Sequence, residues 1–215
     1  GVPNSAKMLV IARTKKVEEV ERRTQGLTLF LVDVEREGLT HQAIPKLGTN
    51  TLPASSVFFD EVRVDEDEVI GTVDEGWPQL LEVLNTERIV TTAGCVGAGE
   101  LALRLAVDYA AERKVFRGAP IGSYQGLQFP LAQCHAEIEC ARLMNYKAAW
   151  LHDQGLPYGS EANTAKLIGA QVLARVTERA MQTMGGMGFA KEMHVERLWR
   201  DARLFRFAPL SAEMI

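Results

Sequence analysis

Between Gln79 and Phe116 the chain carries no proline, and Leu80, Leu84, Glu87, Thr91, Gly94 and Ala98 recur on one helical face. The pattern predicts a single helix over residues 77–116, and a helix of that length needs long helical neighbours. Two more stretches supply them, over residues 123–154 and 160–184. Pro130 inside the second predicts a late start or a kink. Ser160 and Glu161 open the third, and Gly185-Gly186 closes it. Shorter helical pieces follow over 194–205, and Ser211, after Pro209, reads as the N-cap of a further helix. Three long helices leave one face of a bundle uncovered, so more chain or another subunit is expected to complete the core.

Before Gly71 the character is different. Residues 8–12, 27–34, 39–44 and 55–64 are rich in strand formers, with Gly26, Gly38, Gly48 and Pro53 at the breaks. The charged run over 14–24 reads as a solvated connection between strands. Strands followed by long antiparallel helices give an α+β chain in two segregated parts, residues 1–70 and 71–215.

A net charge of -4 gives no basic surplus for nucleic acid. No apolar run approaches the ~20 residues that a bilayer span requires, and the N-terminus shows no signal-peptide pattern. Cys95, Cys134 and Cys140 are an odd, sparse set, as expected of reduced thiols in a cytoplasmic protein. Cys134-His135 with Cys140 lacks zinc-ligand spacing, so no metal is expected.

Three motifs carry chemistry, each with a plainer reading beside it. Arg113, Lys114 and Arg117 bracket Phe116 at a helix end before a Gly/Pro loop. Cations at a helix C-terminus are favourable in themselves, and they can also clamp a diphosphate while Phe116 packs on the ligand. Gln182-Thr183-Met184-Gly185-Gly186-Met187-Gly188 can simply end a helix, or let backbone approach a ligand closely. Glu87, in Leu84-Asn85-Thr86-Glu87-Arg88, has Val83, Leu84, Val90 and Thr91 one turn to either side. A carboxylate on an apolar stripe is costly unless it has a partner or a task, so it is either a salt-bridge partner of a neighbouring helix or a functional group.

Together these motifs resemble the acyl-CoA dehydrogenase family. The ordered set is Lys46-Leu47-Gly48, the stretch 57–64, Gly71, Gly76-Trp77, Arg113-Lys114-x-Phe116, Pro120-Ile121, Gln125, Gln182-x-x-Gly185-Gly186-x-Gly188 and Arg200-Asp201-Ala202. The resemblance implies the end of a barrel-like middle β-domain, followed by an up-down four-helix-bundle-type domain whose last helix continues past Ile215. It implies FAD as cofactor, an acyl-CoA substrate, an electron-transfer flavoprotein as partner, and a homodimer or homotetramer. It places Arg113, Phe116, Gln125, Gln182, Gly185 and Gly186 at the FAD diphosphate and adenosine, several of them reaching the flavin of a neighbouring subunit.

The sequence departs from the family where most members carry the catalytic glutamate shortly after Arg-Asp-Ala. Here Ala208-Pro209-Leu210-Ser211 puts a proline at that position. A minority of the family, including isovaleryl-CoA dehydrogenase, carries its glutamate in a Leu-x-x-Glu-Arg stretch of the first bundle helix, which 84–88 matches. By that resemblance Glu87 is the base that removes the α-proton of the thioester, and Arg88 helps hold the CoA portion. The alternatives are an FAD-binding relative without dehydrogenase activity, and an acyl-CoA oxidase.

Overall fold

The computed structural model describes residues 1–116 and 118–215, so the expectation for Arg117 lies outside the described residues. The chain divides into two compact units, Gly1–Leu84 and Asn85–Ile215, with the division inside a helix.

The first unit is built on β1 (Lys7–Arg13), β2 (Leu27–Asp33), β3 (Leu39–Ile44), β4 (Ala54–Phe59) and the short β5 (Val69–Ile70). β2 is the centre of an antiparallel sheet ordered β1-β2-β5, and β3 and β4 form an antiparallel pair. Alternation sends Phe30 and Val32 of β2 toward Leu39, and Met8, Val10, Val57 and Val62 close around them. Both sheets are open among the described residues, so no closed barrel is formed. Strand β4 ends at Phe59, short of the expected residue 64, because Glu61 takes a positive φ of 49° that no strand accommodates. The charged run over 14–24 is a surface connection with one short 3-10 turn, Val17–Glu19.

The second unit contains most of α1 (Gly76–Glu112), then α2 (Gln125–Asp153), α3 (Gly159–Met184) and the short α4 (Val195–Ala202). Pro78 sits in the first turn of α1, where no backbone donor is required. The helix stops at Glu112, before the predicted residue 116, because the chain turns into a two-stranded ribbon of β6 (Lys114–Val115) and β7 (Ala119–Pro120). Pro130 neither delays nor ends α2. The carbonyl left without a donor belongs to Gly126, at the exposed first turn, where water can satisfy it. α3 is closed by Gly185 at φ 59°, a conformation that costs glycine little. Ser211 does cap a turn, but Ala212–Met214 is a 3-10 turn and not an α-helix.

α1 and α3 run in one direction, with α2 antiparallel between them in sequence. Arg175 pairs with Glu137 at 2.9 Å and Lys147 with Glu161 at 3.0 Å, which fixes the register of α2 against α3. Ala102, Ala106, Ala141, Ala148, Ala162 and Ala165 are fully buried, so the helix backbones approach closely. Leu131, Ile138, Val172, Val176 and Leu198 fill the remaining core, each side chain contributing about 1.5–3 kcal/mol relative to exposure. One stretch of α1 is, by length and composition, apolar enough to cross a membrane, which corrects the expectation that none is. Its inward side, Val96, Ala102 and Ala106, is packed in the bundle core.

The tightest point of the seam is Gly169 of α3, where an added Cβ would stand 2.8 Å from Thr92 Cγ2 of α1. Gly94 of α1 has nothing within 4 Å of an added Cβ. Gly169→Leu is therefore expected to destabilise the bundle by about 1–3 kcal/mol through overpacking. Gly94→Ala should stabilise it by about 0.8–1 kcal/mol through helix propensity. Thermal unfolding of the two variants checks both signs.

Candidate functional site

At the end of the bundle where α1 enters the second unit, the inward stripe of the helix is Arg88, Thr92, Cys95, Gly99 and Ala102. This is one residue round from the stripe expected through Glu87. Glu87 instead stands on an exposed edge between Val83 and Val90, which are 60% and 67% exposed, and Gly94 continues the same open face. Among the described residues Glu87 makes no ion pair to a neighbouring helix, so the plainer reading of this carboxylate is not realised.

Arg88, expected at the CoA portion of a substrate, is only 8% exposed. Its Nη1 donates to Asn85 Oδ1 at 2.5 Å, while its Nε is buried without a partner. The guanidinium is thus turned largely into the core. Behind it lies Lys166 of α3, 1% exposed, whose Nζ donates to the carbonyl of Leu210. Burial pushes the Lys166 ammonium below the usual lysine range; Cys95 and Glu213 oppose this and Arg88 adds to it. Burial likewise pushes the Cys95 thiol up to about 12, so it stays protonated and unreactive at neutral pH. Asn163 Oδ1 and Asn145 Oδ1 are further buried acceptors without partners. Two cations and two unpaired amide oxygens thus sit inside this end of the bundle. The sequence reading missed Lys166, although the signal was present: it falls on the inward face of α3 with Ala162, Ala165, Gly169 and Leu173.

The other set of expected residues lies at the opposite end. Arg113 follows the last turn of α1 and is exposed; its carbonyl accepts from Ile121 N at 2.8 Å, closing the β6-β7 ribbon. Phe116, at the tip, has φ 46° and is 92% exposed. Gln125 opens α2 and Gln182 lies in the last turn of α3, both exposed. Gly185 and Gly186 have no atom within 4 Å of an added Cβ, whereas a Cβ on Gly188 would stand 2.6 Å from the carbonyl oxygen of Met181. The first two glycines therefore leave backbone open to a ligand, and the third serves packing. Gln182 also lines a groove of about 370 Å³ between α2 and α3, with Gln133 and Glu137 on one side and Arg175 and Arg179 on the other. An exposed guanidinium, an exposed aromatic ring, two side-chain amides and bare backbone suit an anionic, aromatic ligand such as a dinucleotide.

The two ends are far apart within one chain. Twenty-five residues of α1 separate Glu87 from Glu112, roughly 37 Å at 1.5 Å per residue.

Residues 74–209 match the family model described as acyl-CoA dehydrogenase, C-terminal domain. The chain is 40% identical over 217 aligned residues to the acyl-CoA dehydrogenase FadE12 of Mycobacterium tuberculosis, covering 100% of this chain and 55% of that protein. It superimposes on butyryl-CoA dehydrogenase from Megasphaera elsdenii with a TM-score of 0.91 at 30% identity, covering 99% of this chain and 54% of that one. A chain in the structure of the electron transferring flavoprotein of Acidaminococcus fermentans gives a TM-score of 0.92 at 30% identity, covering 98% and 55%. The chain thus spans about half the length of the relatives it matches. With the domain match spanning both ends of the bundle, the chain belongs to the acyl-CoA dehydrogenase family.

Proposed function

We propose that this protein is an FAD-dependent acyl-CoA dehydrogenase in which Glu87 is the base. Its carboxylate removes the α-proton of the acyl thioester while the β-hydrogen leaves with its electron pair, forming the α,β double bond. FAD, when bound, supplies the hydride acceptor. A base of this kind works at a weakly acidic C–H only if water is kept away, and the valines flanking Glu87 provide apolar surface for that purpose.

One observation carries this reading. The carbonyl of Leu210, next to Pro209, is held by Lys166, and Arg88, next to Glu87, lies near enough to act on the same ammonium. Both the position that most of the family uses for its glutamate and Glu87 lie toward one end of the bundle in this reading. A base moved from the first to the second stays at that end of the bundle. In this reading Arg88 supports the Glu87 turn from inside, through Asn85, and CoA is held elsewhere.

The roughly 37 Å between the two ends supports an FAD site shared between two copies of the chain. Arg113, Phe116, Gln125, Gln182, Gly185 and Gly186 of one copy would take the diphosphate and adenosine of a flavin whose ring stands at Glu87 of the other. Leu143, Tyr146 and Trp150 are exposed along α2 and suit association with a further copy, as a homodimer or homotetramer. An electron-transferring flavoprotein is the acceptor we favour, supported by the match to the Acidaminococcus fermentans structure. The two open sheets of the first unit are read as part of a larger, barrel-like β-domain.

Glu87→Gln in the full-length protein should keep its FAD and slow anaerobic flavin bleaching by acyl-CoAs by about 10²–10⁴-fold, the range of a lost general base. Bleaching at the wild-type rate would sink the assignment. No bleaching of the wild type by any acyl-CoA would favour an FAD-binding relative without dehydrogenase activity, and peroxide release under air an oxidase. Arg113→Gln should weaken FAD retention by about 10–100-fold, as expected for one charge-assisted contact, read by flavin fluorescence on dilution. Co-expressing Glu87→Gln with Arg113→Gln gives mixed dimers in which one of the two sites is intact. If the site is shared, about a quarter of the wild-type activity should return with two-fold symmetric pairing. No recovery would place both residues in one chain's site.

A further inference from the structure

Lys166 is the largest fully buried side chain of the described residues. It occupies a core position on α3, between Ala162, Ala165, Gly169 and Leu173, where an apolar residue would cost nothing in desolvation. Its ammonium has no carboxylate partner in the described ion pairs and is bonded to one carbonyl, that of Leu210. That carbonyl belongs to the stretch 208–211, which has no helix or strand of its own. On α1 Arg88 is buried with an unpartnered Nε.

We propose that Lys166 is a positioning residue: its buried ammonium ties the 208–211 stretch, through the Leu210 carbonyl, to α3 at the end of the bundle where the Glu87 turn stands. The tie holds that stretch in one place on α3. This rests on the reading of Glu87 as base. Methionine at 166 fills nearly the same volume without donating a hydrogen bond, and glutamine keeps a donor without the charge. A side chain that only packs would survive the first change in its folded, flavin-loaded fraction. A positioning residue would not, because small misplacements near a reacting carbon cost rate more than binding.

The test uses the full-length, FAD-loaded protein, with stopped-flow bleaching by the acyl-CoA that reduces the wild type fastest and hydrogen exchange of the 207–211 amides. Lys166→Met should lower the bleaching rate per bound flavin by about tenfold or more, with the acyl-CoA dissociation constant within about threefold of wild type. Exchange at 207–211 should speed up, and Lys166→Gln should fall between the two proteins in both readouts. Should the methionine variant not fold, the glutamine variant is read in the same way. An unchanged rate per bound flavin, or unchanged exchange at 207–211, overturns the proposal. Loss of bleaching in Glu87→Gln with a wild-type rate in Lys166→Met sinks this proposal alone. Wild-type bleaching in Glu87→Gln, or none in the wild type, sinks the base assignment and this proposal together.

Discussion

Close approach of three helix backbones governs the second unit. Alanines on α1, α2 and α3 are fully buried, and at Gly169 not even a methyl group would fit without moving Thr92. Interiors pack like crystals, so a seam of small residues leaves little freedom in how the helices slide or rotate. Several large aromatic side chains go elsewhere. Phe116, Phe129, Tyr146, Trp150 and Phe189 all project outward, where they offer apolar surface to something else.

The same tight seam makes the buried polar end of the bundle unusual. Arg88 and Lys166 are placed where the helices face each other, and a cation there must find acceptors or lose its charge. Asn85 and the Leu210 carbonyl supply some. The donors that remain are matched in kind by the unpaired oxygens of Asn145 and Asn163. The consequence is local order: the stretch after α4 has few bonds of its own, and the ammonium gives it a fixed place on α3.

Much of the architecture was legible in the residues. The helices fall close to their expected ranges, and the Gly185 cap appears as read, because period and capping are local properties. Pro130 was misjudged since its cost depends on which carbonyl it orphans, and Gly126 is at an exposed end. The helix lengths were overread at residues 113–116, where pairing of Lys114 with Pro120 takes the chain out of α1. For the site, Arg113, Phe116, Gln125, Gln182, Gly185 and Gly186 were legible as one motif set, and the structure brings them to one end of the bundle. Arg88 and Lys166 were not. Rotation by a single residue moved Arg88 inward and Glu87 outward, and a hydrophobic pattern with one valine on either side does not fix a helix rotation that finely.

By itself, the sequence determined element type, order and the family pattern, because these rest on spacings of a few residues along one chain. Only the tertiary structure decided which side of α1 is buried, since that depends on where α2 and α3 lie. It also decided that Lys166 reaches the Leu210 carbonyl, and that Glu87 and Arg113 lie toward opposite ends of α1. Contacts between groups far apart in sequence are set by the packing of whole helices, which no local pattern encodes.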